Sequence, residues 1–138
     1  MPPVKGILET ALFVQDVKRA VEFYCRIFGF EVIASSERLH ALAVAPQQVL
    51  LLFKQGASIE RVSHEGGFLP GGIDTTGPDH LTFAIAAEDF DAWERWLGQN
   101  GLAIELRKQW ELGGRSLYFR DPDGHLLELA TPGVWQNY

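Results

Sequence analysis

The chain reads as an α+β fold made of two copies of one unit, each running strand, helix, strand, strand, strand. Three features predict this: two amphipathic helices with matching punctuation, strand-like segments placed symmetrically around them, and an offset that lays one half on the other. Asp16 is a helix N-cap, and Val17, Ala20, Val21, Tyr24, Ile27 and Phe28 recur at helical spacing up to Gly29, which suits the residue just past a helix end. The second helix follows Glu88 and Asp89, carries Phe90, Trp93, Trp96 and Leu97 as its apolar stripe, and closes at Gly101.

Strands are expected at 6–14, 30–36, 38–44 and 48–55 in the first half and at 79–86, 103–110, 114–120 and 125–130 in the second. The stretch Asp121, Pro122, Asp123, Gly124 is a turn between the last two, with Pro at its second position and Gly at its fourth. Glu9 superposes on His80, Gly29 on Gly101 and Leu52 on Glu128, at offsets of 71, 72 and 76 residues. The chain is therefore one domain over 1–138, with repeats at 6–55 and 79–130. Residues 56–78, with six Gly and two Pro, form a surface connection and a candidate lid.

Composition excludes several classes. With 46% hydrophobic and 22% charged residues and no low-complexity tract, the 138-residue chain is globular. Its formal net charge of −6 and scattered Lys and Arg give no footprint for nucleic acid. No apolar run reaches the ~20 residues that span a bilayer, and the start lacks the pattern of a secretory signal, so a cytoplasmic location without a membrane partner is expected. The single cysteine, Cys25, excludes Cys-based metal and redox motifs and reads as an inert thiol beside a helix stripe, leaving His and carboxylates as metal ligands.

Strand alternation sorts the polar residues by face. In the first strand Leu8, Thr10, Leu12 and Val14 share one face, leaving Glu9, Ala11 and Phe13 opposite. In the fifth, Leu81, Phe83 and Ile85 leave His80, Thr82 and Ala84 opposite. In the last, Glu128 lies opposite Leu127 and Leu129. The offset adds Arg38, His40 and Leu42 from the third strand and Ser116 and Tyr118 from the seventh. A surface lined by Phe13, Leu42, Leu52 and Tyr118 with one His and two Glu is suited to a ligand. Trp110, Trp135 and His64 are candidates to close over it, although aromatic residues in a small domain more often serve the core or an interface.

The stretches LFVQDVKRAVEFYCRIFGFEV, DHLTFAI and SLYFRDPDGHLLELATPG resemble the vicinal oxygen chelate superfamily, which holds glyoxalase I, extradiol dioxygenases, fosfomycin-resistance enzymes and bleomycin-resistance proteins. The resemblance covers essentially the whole chain. It implies two βαβββ modules forming a curved mixed sheet around a shared cavity, usually in a homodimer. It also implies one divalent metal ion held by Glu9, His80 and Glu128. Most members carry His where Glu9 stands, and the fourth ligand of glyoxalase I would fall at Leu52, which cannot ligate.

Two carboxylates and an imidazole suit Mn²⁺, Fe²⁺, Ni²⁺ or Zn²⁺ and leave positions open for two adjacent substrate oxygens. The expected activity is that of a lyase, isomerase, transferase or dioxygenase, with strict glyoxalase I chemistry disfavoured. Lewis-acid stabilisation of an enolate-like or oxyanion intermediate is its mechanism, and Glu9 or Glu128 serves as a general base when released from the metal. Phe13, Arg38, His40, Leu42, Leu52, Ser116 and Tyr118 are the expected substrate contacts. A metal-free drug-binding protein of the bleomycin-resistance type is the alternative, and a degenerate structural subunit a third possibility.

Overall fold

The computed structural model describes residues 1–57, 62–64, 67–69 and 75–138, with the backbone alone described at 62–64 and 67–69. The chain divides into two compact units, Met1–Gly77 and Pro78–Tyr138. The first contains β1 (Glu9–Val14), α1 (Val17–Phe28), β2 (Glu31–Ser35), β3 (Leu39–Ala45), β4 (Gln48–Lys54), β5 (Val62–His64) and β6 (Gly67–Leu69). The second contains β7 (His80–Ala84), a 3₁₀ turn (Ala87–Asp89), α2 (Phe90–Gln99), β8 (Leu106–Gln109), β9 (Arg115–Arg120) and β10 (Leu126–Ala130).

Each unit is a βαβββ module with the same strand order, β1-β4-β3-β2 in one and β7-β10-β9-β8 in the other. Each module thus holds one four-stranded mixed sheet, as expected of two βαβββ modules. In each, the first strand pairs parallel with the last, and the other ladders are antiparallel. A parallel pair needs a crossover connection, which α1 and α2 begin.

The helix ends follow local chemistry. Asp16 Oδ1 accepts the Arg19 N–H at 3.1 Å, and Gly29 ends α1 in the left-handed conformation at φ 72°, donating its N–H to the Cys25 carbonyl. Gly101 is likewise left-handed, one residue beyond the Asn100 that caps α2. The expected strand over 103–110 shortens to Leu106–Gln109, and the connection expected over 56–78 contains the antiparallel pair β5–β6. Of the expected lid, 58–61, 65–66 and 70–74 lie outside the described residues, as does the side chain of His64.

The register corrects the expected face of three residues in the first module. Glu9 pairs with Val49, Ala11 with Leu51 and Phe13 with Phe53, so Val49, Leu51 and Phe53 share the Glu9 face. Leu52 pairs with Leu12 and with His40, and Leu50 with Leu42, so His40, Leu42 and Leu52 stand on the opposite face. There Leu12, Leu42, Leu50 and Leu52 are buried with Ala20, Phe23, Tyr24 and Ile27 of α1. Leu52 was placed one residue off. The residue answering to Glu128 is Leu51, because the pairs Glu9–Val49 and His80–Leu126 occupy the same rung. Arg38 is not displaced: it precedes β3, and its guanidinium lies over the Phe53 ring at 5.9 Å, on the Glu9 face despite its parity with His40.

In the second module alternation and register agree. His80, Thr82, Ala84, Leu126, Glu128, Ala130, Ser116 and Tyr118 share one face. The other supplies Leu117, Phe119, Leu127 and Leu129, all fully buried, to a core that also holds Phe90 and Leu97 of α2. The register predicts that Leu52→Ala, which empties a fully buried position, costs about 2–5 kcal/mol of stability. Leu51→Ala, on the half-buried opposite face, costs less; chemical denaturation of the two variants measures the difference, and equal losses would contradict the register.

Candidate metal centre

The second module brings a histidine and a carboxylate together by strand pairing alone. His80 opens β7 and Glu128 lies mid-strand in the adjacent β10, two residues beyond His80's own partner Leu126. His80 Nε2 lies 3.3 Å from Glu128 Oε2. Nδ1 of the same ring is 3.0 Å from the Leu126 carbonyl oxygen. A carbonyl only accepts, so Nδ1 carries the proton and donates, and a neutral ring then presents a bare lone pair at Nε2.

Glu128 is only 5% exposed. Its Oε2 accepts the Thr82 hydroxyl at 2.9 Å, while Oε1 is buried without a hydrogen-bond partner. An uncompensated buried carboxylate oxygen is costly, roughly 1–3 kcal/mol or more for a charged group. Thr82 Oγ1 also lies 3.3 Å from His80 Nε2. Its single proton goes to Glu128, so three electron-rich atoms converge: Nε2, Oε2 and the Thr82 oxygen. This donor set suits a divalent cation of borderline hardness.

Tyr118 is the cross-strand partner of Glu128 and stacks its ring near that of His80, centroids 6.2 Å apart. Burial pushes the Tyr118 hydroxyl up to about 12, helped by the neighbouring Glu128 carboxylate. Ser116, fully buried, accepts the Trp110 indole N–H at 2.8 Å. Trp110 thus reaches this face by its nitrogen, a role its aromatic character alone did not signal.

The turn before β10 holds His80 from behind. Asp121 Oδ1 accepts the backbone N–H groups of Asp123 and His125, each at 2.9 Å. His125, 1% exposed, accepts the Asp79 N–H on Nδ1 at 2.9 Å, fixing the residue next to His80.

The expected residues are therefore distributed as follows. His80, Glu128, Ser116 and Tyr118 are gathered in the second module, joined by Thr82, which alternation placed on this face without a role. Glu9 stands in the first module, on a face with Phe13 and Phe53, whose rings stack at 5.3 Å, and with Arg38 above Phe53. Among the described residues no group of three or more His, Cys, Asp and Glu that could hold a metal ion is formed. Cys25 is half-buried, its thiol pushed up by burial, and Trp135 is exposed. No helix among the described residues is long and apolar enough to cross a membrane.

The family model of the Glyoxalase/Bleomycin resistance protein/Dioxygenase superfamily matches residues 6–129. The chain belongs to this superfamily. Among curated members, the metallothiol transferase FosB of Staphylococcus haemolyticus (strain JCSC1435) is 29% identical over 129 residues, covering 93% of this chain and 84% of the relative. Among solved structures, the lactoylglutathione lyase from Agrobacterium tumefaciens superposes with a TM-score of 0.88 at 27% identity, over 98% of this chain and 99% of that one. A variant of the fosfomycin resistance protein FosX from Listeria monocytogenes, complexed with Mn(II) and 1S,2S-dihydroxypropylphosphonic acid, shares the fold with a TM-score of 0.67 at 22% identity, over 92% and 90% of the chains.

The Tyr118 hydroxyl gives this site a measurable alkaline signature. Its folded value of about 12 lies above the ordinary 10, so its contribution to stability is complete below pH 10 and is lost as pH rises towards 12. Tyr118→Phe lacks that loss, and its unfolding midpoint in denaturant should fall less steeply than that of the wild type across this range. Parallel slopes would show that Tyr118 is not held by Glu128 and burial.

Proposed function

We propose that this chain is a divalent-metal-dependent enzyme acting on a small oxygenated substrate, with Glu9, His80 and Glu128 as its metal ligands. The pair in the second module carries the reading: His80 Nε2 and Glu128 Oε2 stand 3.3 Å apart, Nδ1 is committed to Leu126, and Oε1 is buried without a partner. Lone pairs so placed repel unless positive charge joins them. Glu9 is included because it occupies in the first sheet the rung that His80 occupies in the second.

Mn²⁺, Fe²⁺, Ni²⁺ or Zn²⁺ fits this donor set and would supply Lewis acidity towards two adjacent substrate oxygens. The chain's own residues prepare the site. Leu126 fixes the His80 tautomer and ring plane, Thr82 holds Glu128 Oε2 beside His80 and leaves Oε1 bare, and Glu9 or Glu128 can take a substrate proton. The rung of Glu128 is filled by Leu51 in the first module, so β4 offers no second carboxylate. The reading therefore leans towards addition or group transfer, as the name of the metallothiol transferase relative implies, and away from the isomerisation of a lactoylglutathione lyase. A metal-free binder is the second reading, favoured by the stacked Phe13–Phe53 surface with Arg38 above it, which suits an apolar anion.

Titration of metal-stripped protein with Mn²⁺ or Zn²⁺ by calorimetry separates the two. Stoichiometric binding is expected, weakened roughly 100-fold or more by His80→Ala or Glu128→Gln and measurably by Glu9→Gln, since even groups one shell removed cost 10–100-fold. Binding indifferent to Glu9→Gln would remove Glu9 from the ligand set. No stoichiometric uptake of either metal would leave the metal-free binder as the better reading.

A further inference from the structure

We propose that the Thr82 hydroxyl oxygen is itself a metal ligand, completing with His80 Nε2 and Glu128 Oε2 a face of three donors built wholly within the second module. This rests on the ligand roles proposed for His80 and Glu128 and adds to them an oxygen from a residue that carries no charge. Thr82 stands two residues after His80 on β7 and directly opposite Glu128 on β10. Strand alternation and the parallel register therefore bring all three side chains to one patch of the sheet. The same register puts Ala11 opposite Leu51 in the first module, where neither side chain has a donor atom.

The spacing of the three atoms is that of neighbouring ligands. Thr82 Oγ1 lies 2.9 Å from Glu128 Oε2 and 3.3 Å from His80 Nε2, and those two lie 3.3 Å from each other. Two donors bound at about 2.1 Å to one small divalent ion, and roughly a right angle apart, stand about 3 Å from one another. All three edges of the triangle come close to that length, so one ion can touch all three atoms. The protons agree with this. His80 Nδ1 gives its proton to Leu126, and the one proton of Thr82 goes to Glu128 Oε2. None is left to lie between Oγ1 and Nε2, so their 3.3 Å approach sets lone pair against lone pair. A hydroxyl that has donated its proton still has two lone pairs, and a cation shared with Nε2 turns the repulsion into attraction.

A second observation points to a missing positive charge at the same place. Glu128 is 5% exposed, its Oε1 has no hydrogen-bond partner, and Oε2 receives the single hydroxyl proton of Thr82. A buried carboxylate so sparsely supplied is costly unless a cation joins it. Orienting Glu128 would by itself require only the 2.9 Å bond to Oε2; it gives no reason for the hydroxyl to stand also within 3.3 Å of a ring nitrogen to which it has no proton left to give. A neutral oxygen in the third position has a chemical consequence. It completes the face without cancelling the charge of the ion, which keeps more Lewis acidity than a further carboxylate would leave it.

Mn²⁺ binding to the metal-stripped full chain tests this, with Thr82→Val removing the oxygen and Thr82→Ser keeping it. Thr82 is exposed, and valine is β-branched like threonine, so the strand tolerates the change. Calorimetry is expected to show Thr82→Val weakening Mn²⁺ binding about tenfold or more, and Thr82→Ser staying close to the wild type. Loss of the hydrogen bond to Glu128 alone also weakens binding, so the deciding readout is the number of water ligands on bound Mn²⁺, counted from the broadening of its electron paramagnetic resonance lines in ¹⁷O-labelled water. A ligand role gives one more water in Thr82→Val than in the wild type and no change in Thr82→Ser. An equal count in the wild type and Thr82→Val overturns the proposal whatever the affinities, and leaves His80 and Glu128 as ligands. Should Thr82→Val hold Mn²⁺ too weakly for counting, Thr82→Cys loaded with Co²⁺ replaces it. An intense thiolate-to-cobalt charge-transfer band, absent from the wild type, is then expected, and no such band overturns the proposal. A wild type that takes up no Mn²⁺ removes the ligand reading of His80 and Glu128 together with that of Thr82.

Discussion

Parallel pairing of the first strand with the last in each module is the constraint on which the rest depends. It fixes the rung on which Glu9 and His80 sit, opposite Val49 and Leu126, and thereby which alternate residues of β4 and β10 share their face. A slip of one residue would exchange Glu128 for Leu127 or Leu129, burying a carboxylate in the leucine core and turning apolar side chains outward. The cost of that exchange holds the register. The antiparallel β9 then inherits its placement, and with it Tyr118 and Ser116.

Features fixed locally were legible in the sequence. Asp16, Gly29 and the Asp121–Gly124 turn act within a few residues of themselves, so their chemistry needs no tertiary knowledge. His80 and Glu128 were also legible, because alternation holds within an uninterrupted strand and both strands are short and regular. His40, Leu42 and Leu52 were misplaced because a repeat offset is reliable only while both copies keep equal connections. The offset is 72 residues from Ala34 to Leu106 but 77 from Ala41 to Tyr118, as the paired rungs of β2–β3 and β8–β9 show. An odd change of five reverses the face assigned to every residue beyond it.

What the sequence did not carry is the hydrogen-bond order. Thr82 was visible on the right face, yet nothing local says that its proton goes to Glu128 and not to His80. That His80 gives its Nδ1 proton to Leu126 follows from a strand partner 46 residues away. Trp110 offers an aromatic ring to a reader of the sequence and an N–H to the structure. The buried carboxylate and the imidazole beside it belong to the second module; on the equivalent rungs of the first module, Ala41 and Leu51 stand where Tyr118 and Glu128 do.

The stretch from His80 to Glu128 exceeds that from Glu9 to Leu51 by six residues, five of which lengthen the β8–β9 hairpin whose turn holds Trp110. In the first module the same connection is the short run 36–38, closed by Ser36 on the Leu39 carbonyl. Two copies of one architecture thus differ by a lengthened hairpin that brings the Trp110 indole N–H to Ser116, a contact the short run in the first module has no residues to make. In a duplicated fold, such a local enlargement lets chemistry diversify in one half while the twin continues to satisfy the demands of folding.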